Sequence, residues 1–286
     1  MLGCSNVLLN RIIDMALDED ISLGDITTGL LIDPREEGTA KVVARKDLIL
    51  AGREIFERTM NRVDAYLSVN HRFNDGSGVP GGSVIMTVTG PVVSILTAER
   101  TALNFLSHMC GIATMTKKYV DAVPPGMKTK ITDTRKTLPV LRWIEKYSVT
   151  CGGGTNHRAN LSSGVLIKDN HLAVCGTVAK AVSAARKGID PSHRIEVEVT
   201  TVDEVDEALS SGAEVIMLDN MSIDQVIAAV QRIAGRALIE VSGNVTPERI
   251  PDLARAGVDF ISVGAITHSA QSCDISLDID TAHGQI

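Results

Sequence analysis

Aromatic residues are scarce in this 286-residue chain: one Trp, three Tyr and four Phe make up 3% of it. So few rings leave little on which successive bases could stack, and a net charge of −7 opposes a phosphate backbone, so nucleic acid is a poor partner. Cysteine is sparse as well. Cys4, Cys110, Cys151, Cys175 and Cys273 are odd in number, scattered and without a CxxC spacing. That pattern excludes a disulfide framework and a thiolate zinc site, and it fits a reducing compartment. No apolar run reaches the length of a bilayer span, and the opening MLGCSNVLLNRIIDMALDED lacks the basic-then-apolar order of a secretory leader. The cytoplasm is the expected location. The composition, 44% hydrophobic and 22% charged, suits a globular protein with a proper core in one large or two medium domains.

Positive charge is in the minority, yet it is concentrated. The stretch from Lys128 to Lys168 holds eight Lys and Arg against Asp133 and Glu145, a local +6 that leaves −13 on the remainder. Arg135-Lys136, His157-Arg158 and Lys168 each stand beside glycine, turn residues or the end of an apolar run, where a scaffold presents side chains to a ligand. Guanidinium offers a planar fork and ammonium a compact point charge, so the set reads as a trap for a ligand with several anionic groups. The competing reading is a collection of surface ion pairs of small energetic weight.

The organisation changes at Pro124-Pro125-Gly126. Before it, Ser5 is expected to cap a first helix carrying Leu8, Leu9, Ile12, Ile13, Ala16 and Leu17 at helical spacing. Residues 39–45 and 66–73 read as strands around a helix at 52–63. SVIMTVTGPVVSIL (83–96) reads as strand material, and a long helix is expected over 97–122 with Thr97 as its cap. After the cluster, short β-rich runs at 130–134, 164–168, 194–199, 214–218, 237–241 and 259–263 alternate with helices. Thr201 with Glu204 and Ser222 with Gln225 form capping boxes, and Thr246-Pro247 opens another helix. Such a series implies parallel strands with right-handed crossovers. Polar residues end nearly every run, which favours a β/α barrel with chemistry at the strand C-termini over an open doubly wound sheet.

Glu196 and Glu198 are two apart on an apolar strand and face the same way, inward in a barrel, while Ile195, Val197 and Val199 face the helices. Asp219 ends the next strand, beside Glu198. Carboxylates next to cations suit Mg²⁺ or sugar hydroxyls, or else a structural network that neutralises Lys168 or Arg135. Ser242-Gly243-Asn244 and Val263-Gly264-Ala265 end the last two strands, where barrels place a phosphate. CGGG (151–154) is no dinucleotide fingerprint, Cys151 reads as a buried small residue without a base, and His171 as a structural hydrogen-bond partner.

These residues lie in strings that resemble the quinolinate phosphoribosyltransferase family, the carboxylating nicotinate-nucleotide pyrophosphorylases. The strings are AERTALNFLSHMCGIAT, TDTRKTLPVLRWIEKYSVTCGGGTNHR, LSSGVLIKDNH, EVEV, IMLDNM, VSGNV and GVDFISVGAITHS, covering residues 97 to 269 in order, with DITT (25–28) ahead of them. The resemblance implies an α/β fold: an N-terminal α/β sandwich domain (1–111), an irregular β/α barrel with fewer than eight strands (112–269) and a tail (270–286) returning to the first domain. It implies a homodimer and a Mg²⁺-dependent reaction of quinolinate with phosphoribosyl pyrophosphate that yields nicotinate mononucleotide, pyrophosphate and CO₂ on the way to NAD. It further implies that Arg135, His157, Arg158 and Lys168 cradle the quinolinate carboxylates, with Thr134 and Lys136 in the same loop and Arg100 reaching in from the neighbouring subunit. Glu198 and Asp219 meet the ribose and Mg²⁺, and the turns Ser242 to Asn244 and Val263 to Ala265 hold the 5′-phosphate. Lys136, Lys168, Glu198 and Asp219 are the expected catalytic groups. Three other readings stay open: a Schiff-base barrel enzyme using Lys168, a binding paralogue with a changed substrate, and a scaffold without a reaction.

Overall fold

The computed structural model describes residues 6–280. Cys4 and Ser5, the expected first cap, lie outside the described residues. In chain order the elements are α1 (Asn6–Ile21), α2 (Ile26–Leu31), β1 (Glu37–Ala44), β2 (Leu48–Ile49), α3 (Arg53–Val63), β3 (Ser68–His71), β4 (Gly78–Val79), β5 (Val84–Pro91) and α4 (Val92–Asp121). Then come β6 (Lys130–Thr132), α5 (Arg142–Cys151), β7 (Val165–Ile167), α6 (Asp169–Cys175), α7 (Val178–Gly188), β8 (Ile195–Val199), α8 (Val202–Ser210) and β9 (Val215–Asp219). The chain continues with α9 (Ile223–Ile233), β10 (Leu238–Ser242), a 3₁₀ turn (Pro247–Arg249), α10 (Ile250–Ala256), β11 (Phe260–Ser262), α11 (Ala265–His268) and β12 (Ile275–Asp280). They divide into two compact units, neither contiguous in sequence. Of the described residues, the first takes 6–117, Thr137–Gly153 and 266–280; the second takes Lys118–Lys136 and Gly154–Ala265. The expected boundary at 111/112 falls inside α4.

In the first unit an antiparallel sheet runs in the order β12-β1-β5-β3. β12 lies along β1 from Thr39 opposite Asp280 to Ala44 opposite Ile275. Ala40, Val42, Met86 and Val88 from the sheet are buried with Ile95, Ala102, Leu103 and Leu106 of α4. α4 begins at Val92, not at the expected Thr97. The two valines of VVSIL bias a reader toward strand. Pro91 closes β5, however, and Val92, Ile95, Ala98 and Ala102 already carry the three-to-four spacing of a helix that buries one face. Thr97 is an interior residue whose hydroxyl donates to the Val93 carbonyl. Gly111 permits a close approach: a Cβ there would lie 2.1 Å from the Gln271 carbonyl oxygen.

The second unit is a six-stranded sheet in the order β6-β11-β10-β9-β8-β7. Every pairing within it is parallel. The order runs one way round, with β6 placed next to β11, as a rolled sheet requires; a doubly wound sheet would reverse at a switch point. The segment 154–158 runs beside β6 through a bridge between Thr132 and Thr155. The two expected capping boxes are formed, Thr201 with Glu204 at α8 and Ser222 with Gln225 at α9. Thr246-Pro247 opens the 3₁₀ turn that leads into α10. Ile195, Val197 and Val199 are buried toward the helices, so Glu196 and Glu198 take the opposite face.

Candidate active site

The strand C-termini of the second unit surround a cavity of about 460 Å³. β6 leads into Thr134, Arg135 and Lys136; the segment beside it brings His157 and Arg158; β7 ends at Lys168; β8 supplies Glu198, β9 Asp219, and β10 the turn Ser242-Gly243-Asn244. Groups more than a hundred residues apart thus share one wall. Val263, Gly264 and Ala265 follow β11 but do not line this cavity; Ser262 does. The Val263 N–H is committed to the Thr132 carbonyl at 2.9 Å. Arg100 belongs to α4 in the first unit, where its side chain is 64% exposed and 3.6 Å from Glu99.

Charge in the cavity is organised in pairs. Lys168 Nζ forms an ion pair with Glu198 and keeps 42% of its side chain exposed. A Schiff-base lysine needs a desolvated amine, and a half-exposed ammonium held by a carboxylate is the opposite arrangement. Arg158 donates to the Gly164 carbonyl at 3.0 Å. Burial lowers its pKa, the neighbouring Arg135 lowers it further, and Glu196 offsets part of this. Two guanidiniums this close mark a place that an anion would relieve. His157 is fixed at both ends: its backbone N–H donates to Asp133 Oδ1 at 2.8 Å, and Nε2 lies 3.0 Å from Glu196 Oε2. Glu196 therefore serves His157, while Glu198 serves Lys168. In the ladder Glu198 stands opposite Met217, so Asp219 is two residues further along β9 than a side-by-side placement supposes.

The turn after β10 is held by a glycine conformation and a chain of side-chain hydrogen bonds. Gly243 has φ +94°, and a Cβ there would lie 2.3 Å from Asn220 Oδ1. Only glycine satisfies both conditions. Asn244 Nδ2 donates to Asn220 Oδ1 at 3.0 Å, and Asn220 Nδ2 donates to Asp219 Oδ2 at 2.8 Å. Arg249 ties the turn from below through the Asn244 and Met221 carbonyls. Asn220, one of the polar strand ends, and Glu240, which the sequence reading does not name, also line the cavity. Glu240 had a signal: it interrupts the apolar run ALIEV as Glu196 interrupts RIEVEV. His171 accepts at Nδ1 from the Lys168 N–H at 2.9 Å, a structural role. Burial raises the Cys151 thiol to about 11, so it is no thiolate nucleophile.

Two family models cover nearly the whole chain. One, described as the C-terminal domain of quinolinate phosphoribosyl transferase, matches residues 112–278, and its N-terminal counterpart matches residues 25–110. The chain belongs to the quinolinate phosphoribosyltransferase family. Among curated relatives, the nicotinate-nucleotide pyrophosphorylase [carboxylating] of Mycobacterium leprae is 43% identical over 271 residues, spanning 92% of this chain and 94% of its own. The probable nicotinate-nucleotide pyrophosphorylase [carboxylating] of Bacillus subtilis is 37% identical over 283 residues, 99% and 97% of the two chains. Among solved structures, the nicotinate-nucleotide pyrophosphorylase of Francisella tularensis superposes with a TM-score of 0.91 at 40% identity, covering 98% of each chain. An N-terminal sheet unit followed by a parallel-strand unit is thus the arrangement of this family of phosphoribosyltransferases. Among the described residues, no helix is long and apolar enough to cross a membrane.

Proposed function

We propose that the chain joins quinolinate to phosphoribosyl pyrophosphate, releasing nicotinate mononucleotide, pyrophosphate and CO₂ on the way to NAD. One observation carries the reading: Arg135, His157, Arg158 and Lys168 line one cavity together with the carboxylates of Glu198 and Asp219 and the Ser242–Asn244 turn. The cations offer charge-assisted donors to the two carboxylates of a pyridine diacid. Thr134 and Lys136 belong to the same loop, the Thr134 hydroxyl accepting from the Lys136 N–H at 3.0 Å. Lys136, which also lines the cavity, would meet the pyrophosphate.

The arrangement works by positioning and charge. The ring nitrogen of a diacid fixed at both carboxylates attacks C1 of the ribose as pyrophosphate leaves. The nitrogen becomes cationic and stabilises the carbanion left at the adjacent ring carbon when its carboxylate departs as CO₂; a proton from solvent then completes the C–H bond there. No protein nucleophile is required, in keeping with the inert Cys151 and the paired Lys168. Glu198 and Asp219 orient the ribose hydroxyls. Their oxygens, on one rim without thiol or imidazole, are the donor type that Mg²⁺ takes, and they would hold it directly or through water. A bound Mg²⁺ would supply charge neutralisation for the pyrophosphate. The 5′-phosphate takes the turn after β10, the one of the two expected turns that lines the cavity.

Release of labelled CO₂ from quinolinate tests the reaction. It should require the sugar donor and Mg²⁺, and Arg135→Ala should lose quinolinate affinity by roughly 1.5–3 kcal/mol, the scale of a hydrogen bond to a charged group. Arg135→Lys should recover little, because the fork is gone. Unchanged saturation by quinolinate in both variants would sink the cradle. We also assign the chain to a homodimer in the cytoplasm, with Arg100 given to the neighbouring subunit's site. That supports mixing as a test: Arg100→Ala and Lys168→Ala subunits, each inactive alone, should regain activity in hybrid dimers. Hybrids without activity would refute the exchange.

A further inference from the structure

Glu240 stands midway along β10 and is 3% exposed. It borders two cavities. One is the cleft at the strand C-termini. The other, about 580 Å³, begins at the strand starts Lys130, Arg194, Val215 and Phe260, and shares His157, Arg158 and Glu240 with the first. Glu240 therefore belongs to the floor between them. On that floor His157 Nε2 lies 3.0 Å from Glu196 Oε2 and 3.7 Å from Glu240 Oε1. One N–H serves one carboxylate well and leaves the second poorly served. Oε1 of Glu196 and Oε1 of Glu240 are both buried without a hydrogen-bond partner. Two ionised carboxylates in such a place would each bear an unpaid desolvation cost and repel one another. The arrangement calls for one more positive charge, and a proton is the smallest.

We propose that Glu240 is a charge-setting positioning residue of the quinolinate cradle: it takes a proton from solvent when the diacid is held and gives it up when the cradle empties at alkaline pH. The proposal rests on the quinolinate reading of the cavity. With Glu240 protonated, the floor under His157 carries one negative charge, from Glu196, and the cationic wall keeps its surplus for a dianionic ligand. With Glu240 ionised, the floor carries two, and the wall is partly cancelled. Glu240 stays out of the bond-making chemistry and acts through His157.

The surroundings agree. Burial pushes the Glu240 carboxyl up to about 7, and the charge of Glu196 on β8 adds to it. His157, a hydrogen bond from Ser262 on β11, and Lys168 at the end of β7 pull the other way. In the upper cavity the remaining charged groups are Arg135, Lys136, Arg158, Glu198 and Asp219, a cationic balance that a bound diacid would offset, raising Glu240's hold on its proton. In the lower cavity they are Lys130, His193 and Arg194. A divalent ion is the rival occupant, since His157, Glu196 and Glu240 place one ligand atom each within 4.8 Å of one another. Two observations favour the proton. The His157 ring is already hydrogen-bonded to Glu196 at 3.0 Å, and Lys168 and Arg158 repel a further dication.

The test is calorimetry of quinolinate binding to the full chain at about pH 6, 7 and 8.5, each in two buffers of different ionisation enthalpy. Wild type should take up a proton on binding near pH 7 and bind about tenfold more weakly at the alkaline end than at the acid end, the weight of one pKa unit. In Glu240→Gln the uptake should vanish and the affinity should be level with pH. Uptake that persists in Glu240→Gln overturns the proposal and moves the titration to His157. Infrared spectra of wild type need no variant: the carbonyl band of a buried protonated carboxyl should be present at low pH and fade through about 7. Its absence overturns the proposal, as does a stoichiometric divalent ion whose removal by chelator abolishes the pH dependence. If wild type binds no quinolinate at any pH, the functional reading fails, and the infrared band still shows whether Glu240 holds a proton.

Discussion

Among the described residues, His108–Glu145 in the first unit and His157–Glu196 in the second share a 3.0 Å separation, yet they differ in how fully the carboxylate is hydrogen-bonded. In the first unit His108 Nε2 meets Glu145 Oε1. Glu145 is 0% exposed, and the Leu138 N–H donates to the same carboxylate, 3.2 Å from Oε2. Both oxygens are therefore engaged. In the second unit His157 meets Glu196, but one oxygen of Glu196 is unpartnered and Glu240 crowds the same nitrogen. Contact distance does not tell the two pairs apart; hydrogen-bond saturation does. A completed network fixes a conformation, whereas an incomplete buried one leaves an affinity unspent, and a ligand or a proton can use it.

The largest expected effect comes from breaking the saturated pair. Glu145→Ala removes the acceptor of both the His108 ring and the Leu138 N–H, and should cost about 2–6 kcal/mol of stability, the penalty for two donors left without an acceptor. Thermal or urea unfolding would measure it. Glu145→Gln keeps an acceptor and should lose much less. Equal losses in the two variants would mean that the network is packing alone, and the contrast between the two pairs would fail.

The unsaturated pair predicts a pH effect of the reverse kind. Native Glu240 holds its proton up to about 7, against an ordinary glutamate pKa near 4.5, so between those values the folded chain binds a proton that the unfolded chain does not. Its contribution to stability is complete below about pH 4.5 and lost as pH rises to about 7. The scale is on the order of 3 kcal/mol, at 1.36 kcal/mol per unit. Glu240→Gln cannot ionise, so the variant should gain on wild type as pH rises and be the more stable protein at pH 8. Melting curves of both proteins at about pH 5 and pH 8 check this, since other groups cancel in the difference. A constant difference between them would show that Glu240 titrates as an ordinary surface glutamate does.

How much of this was legible in the sequence depends on whether a signal was local. The capping boxes at Thr201 and Ser222, the six strand runs and the polar strand ends are short-range patterns, and they placed Arg135, His157, Arg158, Lys168, Glu198 and Asp219 around one mouth. The start of α4 was missed because VVSIL has strand-like residues at helical spacing, and only burial against β1 and β5 decides between the two. The grouping of 137–153 with the first unit had no local signal, because it rests on tertiary packing alone. Glu240 was missed for a related reason. A lone glutamate in an apolar run shows its cost, but the neighbour that shares the cost, Glu196, is two strands away.

The smallest expected effect lies at the rim, where the saturated and unsaturated regimes meet. Asn244 has φ +47° and Asn220 +54°, and each uses its amide in the chain running from Asn244 through Asn220 to Asp219. Asn244→Gly relieves a left-handed backbone but deletes one exposed hydrogen bond, so stability should change by less than about 1 kcal/mol in either direction. Its consequence should instead appear in ligand binding. Without the Asn244 amide, Asn220 is less constrained, and Asp219, proposed above to meet the sugar, loses an oriented partner. Sugar-donor affinity should weaken a few-fold while quinolinate affinity stays put, because the cationic wall is built from other strands. Binding titrations with each substrate separately would show it. Equal weakening for both would mean that the rim and the cradle form one network, and that the division drawn between a finished scaffold and an unfinished site runs in the wrong place.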